Sequence, residues 1–241
     1  MGVSKGQLQK NLATIRERIA AACDKASRSP EKVTVVAVTK TADLDTVKSL
    51  VEIGLTDIGE SRAQQLNERV EELSAWLQRR RTEASVRWHM IGHLQRNKVR
   101  HVLGAADVIH SVDSLRLAEE INSRAEKDDR TVDVLLQVNC AEEPQKSGCA
   151  VGAATHLAEL ICTLKRLRLI GLMAMAPLSD EPEDARFAFA RLRELFEEMR
   201  SEKIGGEAFV HLSMGMSQDY AVAVEEGATM LRIGTAIFEG T

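Results

Sequence analysis

Eight short apolar runs alternate with amphipathic stretches along the chain, and this alternation constrains the fold more than any other feature. The first, VTVVAVTK (Val33 to Lys40), is apolar on both faces, as a strand buried in a parallel sheet must be. The others are LTDIGE from Leu55, VRWHMIG from Val86, ADVIHSV from Ala106, VDVLLQVN from Val132, LRLIGLMAM from Leu167, FVHLSMG from Phe209 and MLRIGTAIF from Met230. Between them apolar residues recur at helical spacing: Leu44, Val47, Leu50 and Val51; then Ala63, Leu66, Val70, Leu73 and Leu77, with Ser61 as a cap; then Leu115, Ala118 and Ile121; Leu157, Leu160, Ile161 and Leu164; and Phe189, Leu192, Phe196 and Met199. An extra helix carrying Leu8, Leu12, Ile15, Ile19 and Ala22 precedes the first strand. Pro144 and Gly148 punctuate the loop after the fifth. No Pro-, Gly- or Ser-rich linker divides the chain. Residues 1–241 are therefore expected to form a single domain of α/β class, a (β/α)8 TIM barrel with an additional N-terminal helix. An open doubly wound sheet is the competing arrangement. No GxGxxG turn follows the first strand, which weighs against a dinucleotide-binding version.

Composition removes several function classes. The net charge of -4 comes without basic or acidic blocks, so no nucleic-acid partner is expected. No apolar run approaches the roughly 18 residues of a membrane span, and the N-terminus lacks an apolar signal core. Cys23, Cys140, Cys149 and Cys162 show no CxxC spacing and read as reduced packing residues of a cytoplasmic protein, with no metal site. A closed barrel without an exposed apolar edge is compatible with a monomer.

In a parallel barrel the chemistry sits where strands end and loops begin. Lys40 ends the first strand, where an apolar stem and low-dielectric surroundings would favour a neutral, nucleophilic amine. Ser213, Met214, Gly215, Met216 and Ser217 follow the seventh strand, and Arg232, Gly234 and Thr235 mark the end of the eighth. Small residues and hydroxyls at those two places suit a phosphate cradle. A lysine facing such a cradle points to a phosphorylated aldehyde, of which pyridoxal 5′-phosphate (PLP) is the obvious case. Arg232 then lies within reach of the ring nitrogen; a salt bridge to Glu225 is its alternative role. His89 ends the third strand and stands between a core histidine and a cofactor contact. Met173 and Met175 read as barrel packing, and Gln95, Arg96, Asn97 and Lys98 as a polar cluster able to line the mouth.

The segments VAVTK, WHMIGHLQRNK, HSVDSLRLAEEIN, QKSG, GLMAMAP and LSMGMSQDYAVAVEEGATMLRIGTAIFEG resemble the pyridoxal phosphate homeostasis protein family, from about Val33 to Gly240. The resemblance implies a barrel of the alanine-racemase N-terminal type, with Lys40 carrying PLP as an internal aldimine (a Schiff base). It implies that Ser213, Gly234 and Thr235 help hold the phosphate and that Arg232 faces the pyridine nitrogen. It also implies a non-catalytic role in vitamin B6 homeostasis: buffering the cofactor, with delivery to apo-enzymes as a further expectation. One departure stands out. The family reads Gly-Glu-Asn after the second strand, where this chain has Gly59, Glu60 and Ser61; the serine keeps a hydroxyl and loses reach.

Two rivals remain at this level. A PLP-dependent racemase-like enzyme would use the same lysine, although the racemases' added C-terminal β domain is not expected here. An aldolase-type lysine acting on a sugar phosphate would need no cofactor.

Overall fold

The computed structural model describes residues 3–81, 84–141, 143, 147–177 and 179–240; Pro144 lies outside them. Among these residues, β1 (Thr34–Val38), β2 (Asp57–Glu60), β3 (Arg87–Met90), β4 (Val108–Val112), β5 (Val132–Asn139), β7 (Leu167–Met173), β8 (His211–Ser213) and β9 (Met230–Ile233) form the expected barrel, and β6 (Cys149–Ala150) is a short addition beside β5. The order runs β4-β3-β2-β1-β9-β8-β7-β5, every neighbour is parallel, and a β4–β5 pairing closes the ring. Closure leaves no free edge in the eight-stranded ring. It also excludes the open doubly wound sheet.

Helices α1 (Lys5–Lys25), α2 (Leu44–Glu52), α3 (Ala63–Arg80), α4 (Val99–Leu103), α5 (Leu115–Lys127), α6 (Val151–Cys162), α7 (Arg186–Ser201), α8 (Tyr220–Glu225) and α9 (Thr235–Phe238) surround the ring. The extra α1 buries the expected stripe of Leu8, Leu12, Ile15, Ile19 and Ala22. It is tied to the chain's end by Asn11, whose amide donates to the carbonyls of Ile237 and Glu239 at 2.9 and 2.8 Å. Phe189, Leu192, Phe196 and Met199 form the buried face of α7.

Three local expectations are corrected. The run MLRIGTAIF is not one strand: it breaks at Gly234, and Thr235–Phe238 is the short α9. Ser61 does not cap α3, which starts after Arg62 without a side-chain cap. On α6 the buried face is Ala154, Ala158 and Ile161, because small residues let the helix sit close to the sheet. Cys23 and Cys140 are buried, whereas Cys162 is exposed. Among the described residues, no helix is long and apolar enough to cross a membrane.

Candidate functional site

At the C-terminal ends of the strands a cavity of about 460 Å³ is lined by Val38, Lys40, Ser61, Ile91, Gly92, Met175, Met216, Ser217, Gln218, Arg232, Gly234, Thr235 and Glu239. Its size falls in the range of small-molecule sites. Five of the expected site residues meet here: Lys40, Ser61, Arg232, Gly234 and Thr235.

Lys40 is exposed and lies two residues beyond β1. Its expected low-dielectric surroundings are therefore absent. The preceding Thr39 takes the inward position and Lys40 faces the open mouth. The turn that carries Lys40 is held from beneath. The Thr39 hydroxyl donates to Glu60 Oε1 at 2.5 Å, and Arg69 Nε lies 2.9 Å from the same oxygen. Arg69 Nη2 donates to the Ala42 carbonyl at 2.5 Å, and the Gln65 amide donates to the Lys40 carbonyl at 3.2 Å. Glu60 is fully buried, and burial pushes its carboxyl up against the lowering pull of Thr39 and Arg69. Among the described residues, Glu60 Oε2 and Arg69 Nη1 have no hydrogen-bond partner.

Arg232, on β9, is 4% exposed. Its Nη1 donates to Ser213 Oγ at 2.7 Å and its Nη2 to the Ala174 carbonyl at 2.9 Å. Burial pulls its pKa down to about 10, with the Asp219 carboxylate opposing. Among the described residues no ion pair reaches Arg232; Glu225, its expected alternative partner, pairs with Arg186 and Lys25. A buried cation without a bonded carboxylate is costly unless a ligand shares it.

The loops after β8 and β9 are stitched together by Ser217, whose Oγ accepts from the N–H groups of Gly234 and Ala236 at 3.3 and 3.1 Å. Two amides thus converge on one oxygen. Asp219 braces the same loop by accepting from Met216 N–H at 2.6 Å. Gly92 must be glycine: a Cβ there would stand 2.1 Å from the Ser61 carbonyl oxygen.

The other expected contacts lie elsewhere. Ser213 and Met214 are fully buried and do not line the cavity. Ser213 points into the barrel interior and Met214 into the hydrophobic core. Gly215 packs against α8, where a Cβ would meet that of Ala223 at 2.6 Å. His89 is buried between Asp57 and His110, 2.9 Å from each, and is not at the mouth. Met175 lines the cavity, while Met173 packs the interior. Gln95 and Lys98 line a separate cavity of about 510 Å³ that shares Ser61 but holds neither Lys40 nor a buried cation. The residues missed by sequence reasoning are Asp57, Arg69, Gly92 and His110; Ser217 was named only as part of its loop.

A primary amine, a buried guanidinium and the hydroxyls of Ser217 and Thr235 beside Gly234 around one small cavity fit a ligand bearing an aldehyde, an acceptor nitrogen and an anionic group. The comparisons agree. The family model described as alanine racemase, N-terminal domain, matches residues 5–241. A pyridoxal phosphate homeostasis protein of Aquifex aeolicus is 38% identical over 229 residues, covering 95% of this chain and 96% of that protein. PipY of Synechococcus elongatus, solved with PLP bound, is 30% identical with a TM-score of 0.78, covering 93% of this chain and 99% of that one. An alanine racemase of Clostridium difficile, 13% identical, shares the fold alone, with a TM-score of 0.73 over 100% of this chain and 57% of its own. With a domain match over nearly all its length and a homeostasis relative covered almost end to end, the chain belongs to the pyridoxal phosphate homeostasis protein family.

Proposed function

We propose that this chain binds PLP at the barrel mouth and holds it without transforming amino acids, as an intracellular buffer that can pass the cofactor to apo-enzymes. The observation that carries the reading is Arg232, a buried guanidinium lining the same cavity as Lys40 and, among the described residues, with no carboxylate bonded to it. The relative solved with PLP supports the choice of ligand.

Each residue then has a task. Lys40 supplies the amine that holds the aldehyde carbon, on a turn kept in place by Glu60 and Arg69. Ser217, Gly234 and Thr235 form the anion's side of the cavity, in a loop that Ser217 Oγ holds by accepting from the Gly234 and Ala236 amides. Ser61 lines the wall in place of the longer asparagine. Arg232 would face the pyridine nitrogen as a donor and, as a guanidinium, would give up no proton there. Bound PLP supplies an electrophilic aldehyde and a conjugated ring whose capacity to draw electrons depends on the protonation of its nitrogen. An arginine donor leaves that nitrogen unprotonated, which favours storage over carbanion chemistry.

The test compares loaded wild type with Arg232→Glu, normalised to bound cofactor. A carboxylate beside the nitrogen stabilises its protonated form. Slow keto-acid release from added amino acids should rise in the variant and stay at background in wild type. Rapid racemisation or transamination by wild type, falling in the variant, would establish an enzyme instead.

A further inference from the structure

A file of polar side chains runs through the inside of the barrel to Arg232. Asp57 begins β2, at the end of the barrel opposite the mouth, and is half-buried. Its Oδ1 lies 2.9 Å from His89 Nε2, and His89 Nδ1 lies 2.9 Å from His110 Nε2. His110 Nδ1 is 2.8 Å from Ser213 Oγ, the oxygen that Arg232 Nη1 reaches at 2.7 Å. His89, His110 and Ser213 are fully buried.

The ends of this file fix its direction. A guanidinium only donates, so Ser213 Oγ accepts from Arg232 and its one hydrogen goes to His110 Nδ1. His110 therefore carries its proton on Nε2 and donates to His89 Nδ1. His89 in turn carries its proton on Nε2 and donates to Asp57, a carboxylate that only accepts. This single arrangement satisfies every contact with both rings neutral. Burial disfavours the charged form of both rings, and at His110 the neighbouring His89 and Arg232 add to it. The reverse order would need a protonated Asp57 and, among the described residues, would leave the Ser213 hydrogen without an acceptor.

Apolar side chains would fill a barrel interior more cheaply than four hydrogen-bonded polar ones. What the file achieves is geometric. A carboxylate bonded directly to Arg232 would hold it and also neutralise it. Here the bonded carboxylate is three side chains away, so the guanidinium is fixed at Ser213 and Ala174 while its charge stays available at the mouth. We propose that Asp57, His89, His110 and Ser213 form a one-way hydrogen-bond relay that orients Arg232 as a donor, making Asp57 a remote positioning residue for the ligand at the opposite end of the barrel. The ligand in that statement rests on the PLP reading above; the relay itself does not.

The test uses full-length protein labelled with ¹⁵N-histidine. Long-range ¹H–¹⁵N spectra without added ligand should show His89 and His110 as neutral tautomers protonated on Nε2 throughout neutral pH. Asp57→Ala should shift the His110 resonances, two side chains away, and weaken PLP binding about three- to tenfold, the scale of coupling within one network. Asp57→Asn keeps an acceptor and should restore most of both. A His110 protonated on Nδ1 in wild type would overturn the relay. So would Asp57→Ala with unchanged His110 resonances and unchanged PLP affinity. Wild type that takes up no PLP would sink the ligand reading, and the tautomers would still decide the relay.

Discussion

Replacing Arg69 with methionine should damage the protein in two separable ways. Glu60 is fully buried and the Arg69 side chain is 9% exposed, so the substitution leaves a buried carboxyl that keeps hydrogen bonds from Thr39 and the Ser61 backbone and loses its paired cation. Breaking a buried pair from one side typically costs about 3–5 kcal/mol. Glu60 can take up a proton, because burial already pushes its carboxyl up. The expected loss is therefore at the low end, about 3 kcal/mol or roughly 6–12 °C in Tm for a chain of this size. Adding Glu60→Gln removes the stranded charge and should recover about 1–2 kcal/mol, since contacting residues couple. Among the described residues the pair leaves Glu60 Oε2 and Arg69 Nη1 unsatisfied, so it is poorly built for stability alone. Its other effect is to pin residues 39–42, the turn that presents Lys40. The double variant should accordingly regain stability without regaining PLP affinity. Urea unfolding of all four members of the cycle, with PLP titrations alongside, measures both. Additive stability losses, within about 0.5 kcal/mol, would refute the coupling; full PLP affinity in the double variant would refute the positioning role.

Gly92→Ala should cut PLP binding by at least several-fold, because its Cβ would push the Ser61 backbone from 2.1 Å at the cavity wall; equilibrium titration checks it, and unchanged affinity would show that the wall yields freely. The pH dependence of stability should carry the signature of His110. Its pKa lies well below the ordinary 6.5 in the folded chain, so the unfolded chain binds more protons between the two values. The His110 contribution is then full above the unfolded pKa and is lost as pH falls, by up to about 1.4 kcal/mol per pH unit. Glu60 and Asp219, whose carboxyls burial pushes up, act in the opposite sense, so the informative quantity is wild type minus His110→Gln in urea midpoints between roughly pH 5 and 7. A difference that does not change with pH would contradict a neutral, buried His110.

The barrel was legible because its strands are buried on both faces and read as unbroken apolar runs, while α1 and α7 carry clean helical stripes. The same property hid parts of the site. β8 is only three residues long, and with apolar neighbours on either side the sequence gives no inward or outward phase, so Ser213 was placed at the mouth when it faces the interior. MLRIGTAIF looks continuous because α9 is as apolar as β9. Arg69 falls at helical spacing on α3, where a charged residue reads as solvent-facing; its burial depends on Glu60, which arrives from another element. The relay draws on β2, β3, β4, β8 and β9, and no local pattern announces a partnership between residues 57 and 213. Polar residues inside apolar strands, such as His110 in VIHSV, are the one sequence signal that could have raised it. Lys40, Ser61, Arg232, Gly234 and Thr235 line one cavity because their places follow from where strands end, and the barrel puts all strand ends at one face.

Everything proposed for the ligand depends on Lys40 holding PLP at this mouth. The most direct measurement is to load the purified chain with PLP, reduce with borohydride, digest, and locate the adduct by mass spectrometry. A single modified peptide containing Lys40 is expected, absent in Lys40→Ala, whose thermal stability should match wild type because this side chain is exposed and packs little. A stoichiometric adduct on another lysine, or none on a chain that remains folded, would contradict it.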